Sequence, residues 1–211
     1  MKIIIFIKRV CKLAFQASLI IFIIIITVIN TPTFAQETID SSKLHPAHPF
    51  YFLKTVRESL EMGSAQTTRV KYLRQLEFAT RRLRETKTLI LIDQNLIPPT
   101  LERYIAHLNT LPDKHKKTDE FAAILRDNLT IHLKVLEQVY QSAANARAKM
   151  AIRSAMNRVI QRADVPQEAR LPICYLFNRE ASSSALNQIE QVVLKGRAKK
   201  CFSSLNDYTK L

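Results

Sequence analysis

The stretch Asp119-Glu-Phe-Ala-Ala-Ile-Leu-Arg-Asp-Asn-Leu-Thr-Ile-His-Leu-Lys-Val-Leu-Glu-Gln-Val-Tyr140, continued by Gln-Ser-Ala-Ala-Asn-Ala-Arg-Ala-Lys-Met-Ala-Ile-Arg-Ser-Ala-Met-Asn-Arg-Val-Ile-Gln-Arg162, decides the fold class. It holds neither proline nor glycine. Phe121, Leu125, Leu129, Leu133, Leu136 and Tyr140, then Ala143, Ala151, Ala155 and Val159, follow one helical stripe. As a single helix the stretch would run about 66 Å, longer than a small domain is wide, so it must bend or protrude. Its alanine-rich second half suits close approach of another helix or of a partner chain. Arg147, Lys149, Arg153, Arg158 and Arg162 surround that half and form a candidate basic face for polyanions. The pattern predicts an all-α fold of helical hairpins around one long helix over 119–162.

Working outward, prolines and helix formers continue the theme. Pro49 sits where a first helical residue belongs. Phe50, Leu53, Val56 and Leu60 then recur at helical spacing up to Gly63, predicting an amphipathic helix over 49–62 with that stripe inward. Thr67 or Thr68 can cap a second helix (67–94), whose stripe is Val70, Leu73, Leu76, Ala79, Leu83 and Ile90. On its outer face Glu77, Arg81 and Glu85 stand four residues apart, as a solvated ion-pair row does. Pro98-Pro99 opens a third helix (99–111) and Pro112 closes it. Pro166 and Pro172 bracket a short segment. Ser182, Ser183 and Ser184 can cap a last helix (183–201) carrying Leu186, Ile189, Val193 and Ala198.

Pro49, Tyr51, Leu53, Lys54 and Glu58, followed by Ala79, Arg82, Leu83 and Glu85, form two linked patterns, Pro-x-Tyr-x-x-Lys-x-x-x-Glu and Ala-x-x-Arg-Leu-x-Glu. In these the chain resembles a bacterial family of extracytoplasmic helical proteins, domain of unknown function 5667, over roughly residues 46–110. The resemblance implies a helical, exported module and assigns no activity. Read physically, Lys54 with Glu58 and Arg57 with Glu61 are pairs one turn apart. Arg82 is placed to reach Glu58 and fix the register of the first two helices.

The start of the chain gives an address. Lys2, Lys8, Arg9 and Lys12 precede an apolar run from Leu13 to Ile29, and Thr33-x-Ala35 completes a signal-peptide pattern. At about 25 Å the run is short for a comfortable span. Residues 1–35 therefore read as a cleaved signal, or else as an uncleaved N-terminal anchor. Either way the rest lies outside the cytoplasmic membrane, secreted, periplasmic or at the cell surface. The expected organisation is a signal or anchor (1–35), a polar leader (36–48), a helical domain (49–112), a long helix (113–165) and a Cys-bracketed C-terminal segment (166–211). Four of the 32 basic residues and none of the 18 acidic ones precede residue 36, so the remainder keeps a net charge of +10. That charge either suits anionic neighbours, such as acidic wall polymers, lipid headgroups or nucleic acid, or simply keeps a helical surface soluble, since no dense basic block stands out.

Composition excludes more than it assigns. Gly63 and Gly196 are the only glycines, which rules out Gly-rich phosphate loops and dinucleotide fingerprints. His45 and His48 lie three apart on a segment held extended by Pro46 and Pro49, with no third ligand beside them; no metal or cofactor is expected. Ser182–Ser184 reads as a cap, and the glutamates pair with basic neighbours, so no nucleophile–base set emerges and no enzymatic activity is expected. Cys174 and Cys201 remain once a signal is removed. They form either a disulfide, as an even count in an exported protein implies, or two thiols. Helices on both sides of a tight turn at 181–184 would leave them more than about 10 Å apart. A bridge therefore predicts an extended return over 173–182, about 30 Å long, beside a helix of about 27 Å. The functional expectation is a non-enzymatic structural or interaction module at the cell envelope. Its partner is a protein, or a second copy met through the long helix. A membrane contact follows only if the N-terminal segment stays attached. The alternative is a binder of polyanions through the basic face.

Overall fold

The computed structural model describes residues 39–113 and 120–208, with side chains to residue 205. The signal or anchor, the start of the leader and the Lys114–Thr118 turn lie outside the described residues. All regular structure among those described is helical: α1 (Tyr51–Gly63), α2 (Thr68–Ile92), a 3-10 turn (Gln94–Leu96), α3 (Ile97–Asn109), α4 (Glu120–Ser142), α5 (Ala146–Ile160), α6 (Gln167–Ala181) and α7 (Gln188–Tyr208).

Helices α2, α3, α4 and α5 pack on one another, and α6 and α7 form a hairpin against α4 and α5. Leu83 and Leu89 of α2, Leu101 and Tyr104 of α3, and Leu129 and Leu136 of α4 are sealed in one core that α5 joins through Ile152 and Val159. Thr67 caps α2 by accepting from the Val70 N–H at 3.2 Å. Pro98 and Pro99 occupy the first turn of α3, where their missing N–H groups leave no bond unmade. The part of the leader that is described lies along α2: Ile39 is buried, its carbonyl accepts from Lys87 Nζ at 2.6 Å, and Ser42 and Thr88 exchange hydrogen bonds.

The single long helix expected over 119–162 is two helices. The first stops at Ser142 and Asn145 caps the second, its Oδ1 accepting from the N–H groups of Arg147 (2.8 Å) and Ala148 (3.2 Å). Gln94, in the turn before α3, accepts from the N–H groups of Ala144 and Asn145. An asparagine cap and a glutamine from a distant turn satisfy the freed backbone donors, so the break needs neither proline nor glycine. Both halves contribute to the core, through Leu125, Leu129 and Leu136 and through Ile152, Ala155 and Val159.

Cys174 and Cys201 are disulfide-bonded, with Cα atoms 5.6 Å apart. The extended return is absent: 167–181 is helical, and α6 runs through Pro172. The bridge closes because the connection is longer than the serines suggested. Asn187, not Ser182–Ser184, starts α7, exchanging hydrogen bonds with Glu190 (2.9 and 3.4 Å) as a capping box. Cys174 lies about 10 Å before the end of α6 and Cys201 about 20 Å beyond the start of α7. The connection over 182–187 supplies the axial offset between them.

Candidate functional site

Helix α1 is mounted inside out. Leu53, Val56 and Leu60, the stripe expected to face the core, are 52%, 53% and 67% exposed, with Phe50 and Phe52 beside them. The opposite face carries Tyr51, Lys54, Glu58 and Glu61, spaced three or four apart, and it rests on α2. There it meets Arg82, which reaches Glu58 as expected, and Glu77, Arg81 and Glu85, the row of three expected to face solvent. That expectation is corrected by burial: Glu61, Arg82 and Glu85 are sealed, and Arg81 nearly so. Charge attracted charge across the two helices, and the apolar face of α1 was left outward.

The cluster is continuous. Glu85 Oε1 pairs with Lys54 Nζ at 2.7 Å, while its Oε2 accepts from the Tyr51 hydroxyl at 3.1 Å. Arg82 donates to Glu58 and to the Tyr51 hydroxyl, and lies 3.3 Å from Glu85. Arg81 bridges Glu61 (2.8 Å) and Glu77 (2.6 Å), with Glu58 at 3.6 Å. At the margins Arg57 reaches Glu61 at 2.6 Å and Arg74 reaches Glu77 at 2.9 Å. Arg103 of α3 donates to the Tyr51 hydroxyl at 3.3 Å. Of the expected turn-spaced pairs, Arg57–Glu61 and Glu77–Arg81 form, whereas Lys54 turns to Glu85.

Burial sets the electrostatics. It raises the pKa of Glu58, with Arg82, Arg81 and Lys54 pulling the other way, and it lowers that of Lys54, opposed by Glu85. Tyr51 is pushed up to about 12 by burial and then by Glu85. Every acid here is matched by a cation within contact distance, an arrangement that fixes position rather than one poised for proton transfer. Among the described residues no group of three or more His, Cys, Asp or Glu could hold a metal ion.

The candidate polyanion face does not assemble. Arg162 is sealed, donating to the carbonyls of Leu108, Leu111 and Pro112 and pairing with Asp113 and Asp164, each at 3.0 Å. Arg153 is buried against Glu190 at 3.1 Å and Glu180 at 3.9 Å. Arg158 bonds Asn109, Lys149 lies over the Tyr140 ring, and Arg147 is exposed. An alanine-rich helix in the core has one side for solvent; of its four cations Arg153 falls on the other side, and the fifth, Arg162, lies just beyond the helix and is sealed.

The residues of the two linked patterns, Tyr51, Lys54 and Glu58 with Arg82 and Glu85, are the centre of this cluster. Residues 43–146 match the model of a family described as a domain of unknown function, DUF5667. No curated protein and no solved structure matches the chain. The DUF5667 match extends beyond the 46–110 read from the sequence and closes at the first residue of α5. It takes in the whole cluster and α1 through α4. The hub role of Tyr51, which joins Glu85, Arg82 and Arg103, went unread in the sequence; its place between Pro49 and Lys54 in the DUF5667 pattern was the available signal.

Proposed function

We propose that this chain is an exported, non-enzymatic interaction module of the cell envelope, whose contact surface is the outward apolar face of α1. One observation carries the reading. A helix with every means of burying Leu53, Val56 and Leu60 holds them in solvent, clamped there by the ion cluster behind it. Large apolar side chains gathered on one exposed face mark binding sites. The occupant is an apolar helix of a second protein, laid against α1 as a helix packs in a groove. The rigid mounting favours a shaped partner: a clamped register lowers the entropic cost of docking to a defined surface, whereas a bilayer requires no register. The basic stub, apolar run and Thr33-x-Ala35 pattern support an extracytoplasmic site of action.

The test is a photo-crosslinking side chain placed at Val56 in the cell's own envelope. A discrete heteromeric adduct that disappears on Leu53→Ser/Leu60→Ser, with thermal stability unchanged, supports the reading. Adducts only with lipid, only with a second copy of this chain, or none at all overturn it. Polyanion binding is supported by a set of cations that shares only Arg158 with the five on 147–162.

A further inference from the structure

Between the end of α5 and one face of α7 lies a solvent-open cavity of about 450 Å³. Arg158 of α5, Arg170 of α6, and Arg197 and Lys200 of α7 line it, with the amides of Asn157 and Gln161. Arg197 and Lys200 are three residues apart and share a helix face with Cys201. Among the described residues the one carboxylate at the wall is Asp113, already paired with the sealed Arg162 at 3.0 Å. Arg158 is held by a neutral group, its Nε donating to Asn109 Oδ1 at 2.6 Å. Arg197 has no ion pair or hydrogen bond among the described residues. Burial lowers its pKa, and the neighbouring Arg153 lowers it further. Among the described residues no carboxylate at this cavity balances Arg158, Arg197 and Lys200 as those of the α1–α2 cluster balance its cations, while Arg170 is held by the carbonyls of Arg162 at 2.7 Å and Ala163 at 3.4 Å.

We infer that the cavity between α5 and α7 binds a phosphate group. Its size suits a small ligand rather than a water or two. Two guanidinium forks and an ammonium converging on one space match the oxygens of phosphate, which arginine takes in pairs and lysine as a point charge. Cys201 is part of the wall, and its bond to Cys174 ties α7 to α6, so the helix faces that carry Arg170, Arg197 and Lys200 are held relative to each other before the ligand arrives. The phosphate can belong to a free anion or to the headgroup of an anionic lipid. This inference is independent of the α1 reading.

Calorimetric titration of the purified protein with inorganic pyrophosphate at low ionic strength tests it, beside co-sedimentation with phosphatidylglycerol vesicles. Arg197→Gln and Lys200→Gln are each expected to weaken binding roughly five- to tenfold. Arg147→Gln, an exposed cation elsewhere, leaves it within about twofold. Arg197→Gln should also raise the melting temperature of the ligand-free protein by about 1–3 °C, because it removes an uncompensated, half-buried charge. Pyrophosphate binding alone with this pattern assigns a soluble ligand; vesicle binding with the same pattern assigns a headgroup. No binding to either probe overturns the inference, as does equal weakening by Arg147→Gln, which would mean diffuse surface charge.

Discussion

Arg82 serves three acceptors at once, Glu58, Glu85 and the Tyr51 hydroxyl, from a position closed to water. Replacing such an ion cluster with apolar side chains can be neutral, but removing one member leaves its partners charged and dry. Arg82→Ala should therefore cost about 3–5 kcal/mol in urea unfolding. Glu58→Ala with Arg82→Ala in a double-mutant cycle should show coupling of about 1–3 kcal/mol; coupling near zero would mean the two helices are not held through this pair. The partnership of Glu58 and Arg82 could be read from the sequence, since both lie in the patterns that mark the first two helices. Their burial could not. Charged side chains ordinarily face water, and nothing in the spacing of Glu77, Arg81 and Glu85 says that another charged face will cover them.

Periodicity located the elements but did not settle which side of each turns inward. The stripe Phe50, Leu53, Val56 and Leu60 is correctly helical and incorrectly inward, because the orientation of α1 was decided by α2, twenty to thirty residues away. The break at Asn145 escaped notice for a related reason: an asparagine cap is weak evidence unless a second group, here Gln94, receives the neighbouring N–H groups. In the last hairpin the cysteine pairing could be inferred from number and compartment, whereas its geometry depended on where α7 begins. The bridge closes a loop 27 residues long in sequence separation. Reducing it, or replacing both cysteines by serine, should cost about 3–4 kcal/mol of stability. A loss below about 1 kcal/mol in denaturant titration would show that α6 and α7 hold together without it.

At the scale of the whole molecule, acid is the expected weakness. His132 is sealed in the core, 2.9 Å from Thr80 Oγ1 and 3.2 Å from the Tyr104 hydroxyl. Thr80 donates its own proton to the Leu76 carbonyl, so His132 Nε2–H donates to Thr80 and Nδ1 accepts from Tyr104. That neutral imidazole is fully bonded, and burial lowers its pKa from 6.5 to about 3. A depressed histidine contributes stability above its unfolded value of 6.5 and loses it as pH falls toward about 3, at about 1.4 kcal/mol per pH unit. His107, lowered to about 4 by burial and then by Arg82 and Arg103, acts in the same direction more weakly, being partly exposed. Glu58 acts oppositely, since a raised carboxyl favours folding below its ordinary value and loses that contribution as pH rises through the raised one. Between pH 7 and pH 5 the histidines dominate, and stability should fall by about 2 kcal/mol; His132→Gln should flatten most of that slope in denaturant titrations at the two pH values. A unchanged slope in the variant would place the acid-sensitive group elsewhere. Finally, Arg162 reaches from just beyond α5 to the carbonyls that finish α3 and its exit, Leu108, Leu111 and Pro112. A recombinant fragment trimmed to the span recognised by likeness would strand those oxygens and bare the flank of α3 that α5 covers. The excisable unit in this chain is set by a guanidinium well downstream of residue 146, and cloning boundaries drawn short of it would cut through the hydrophobic interior.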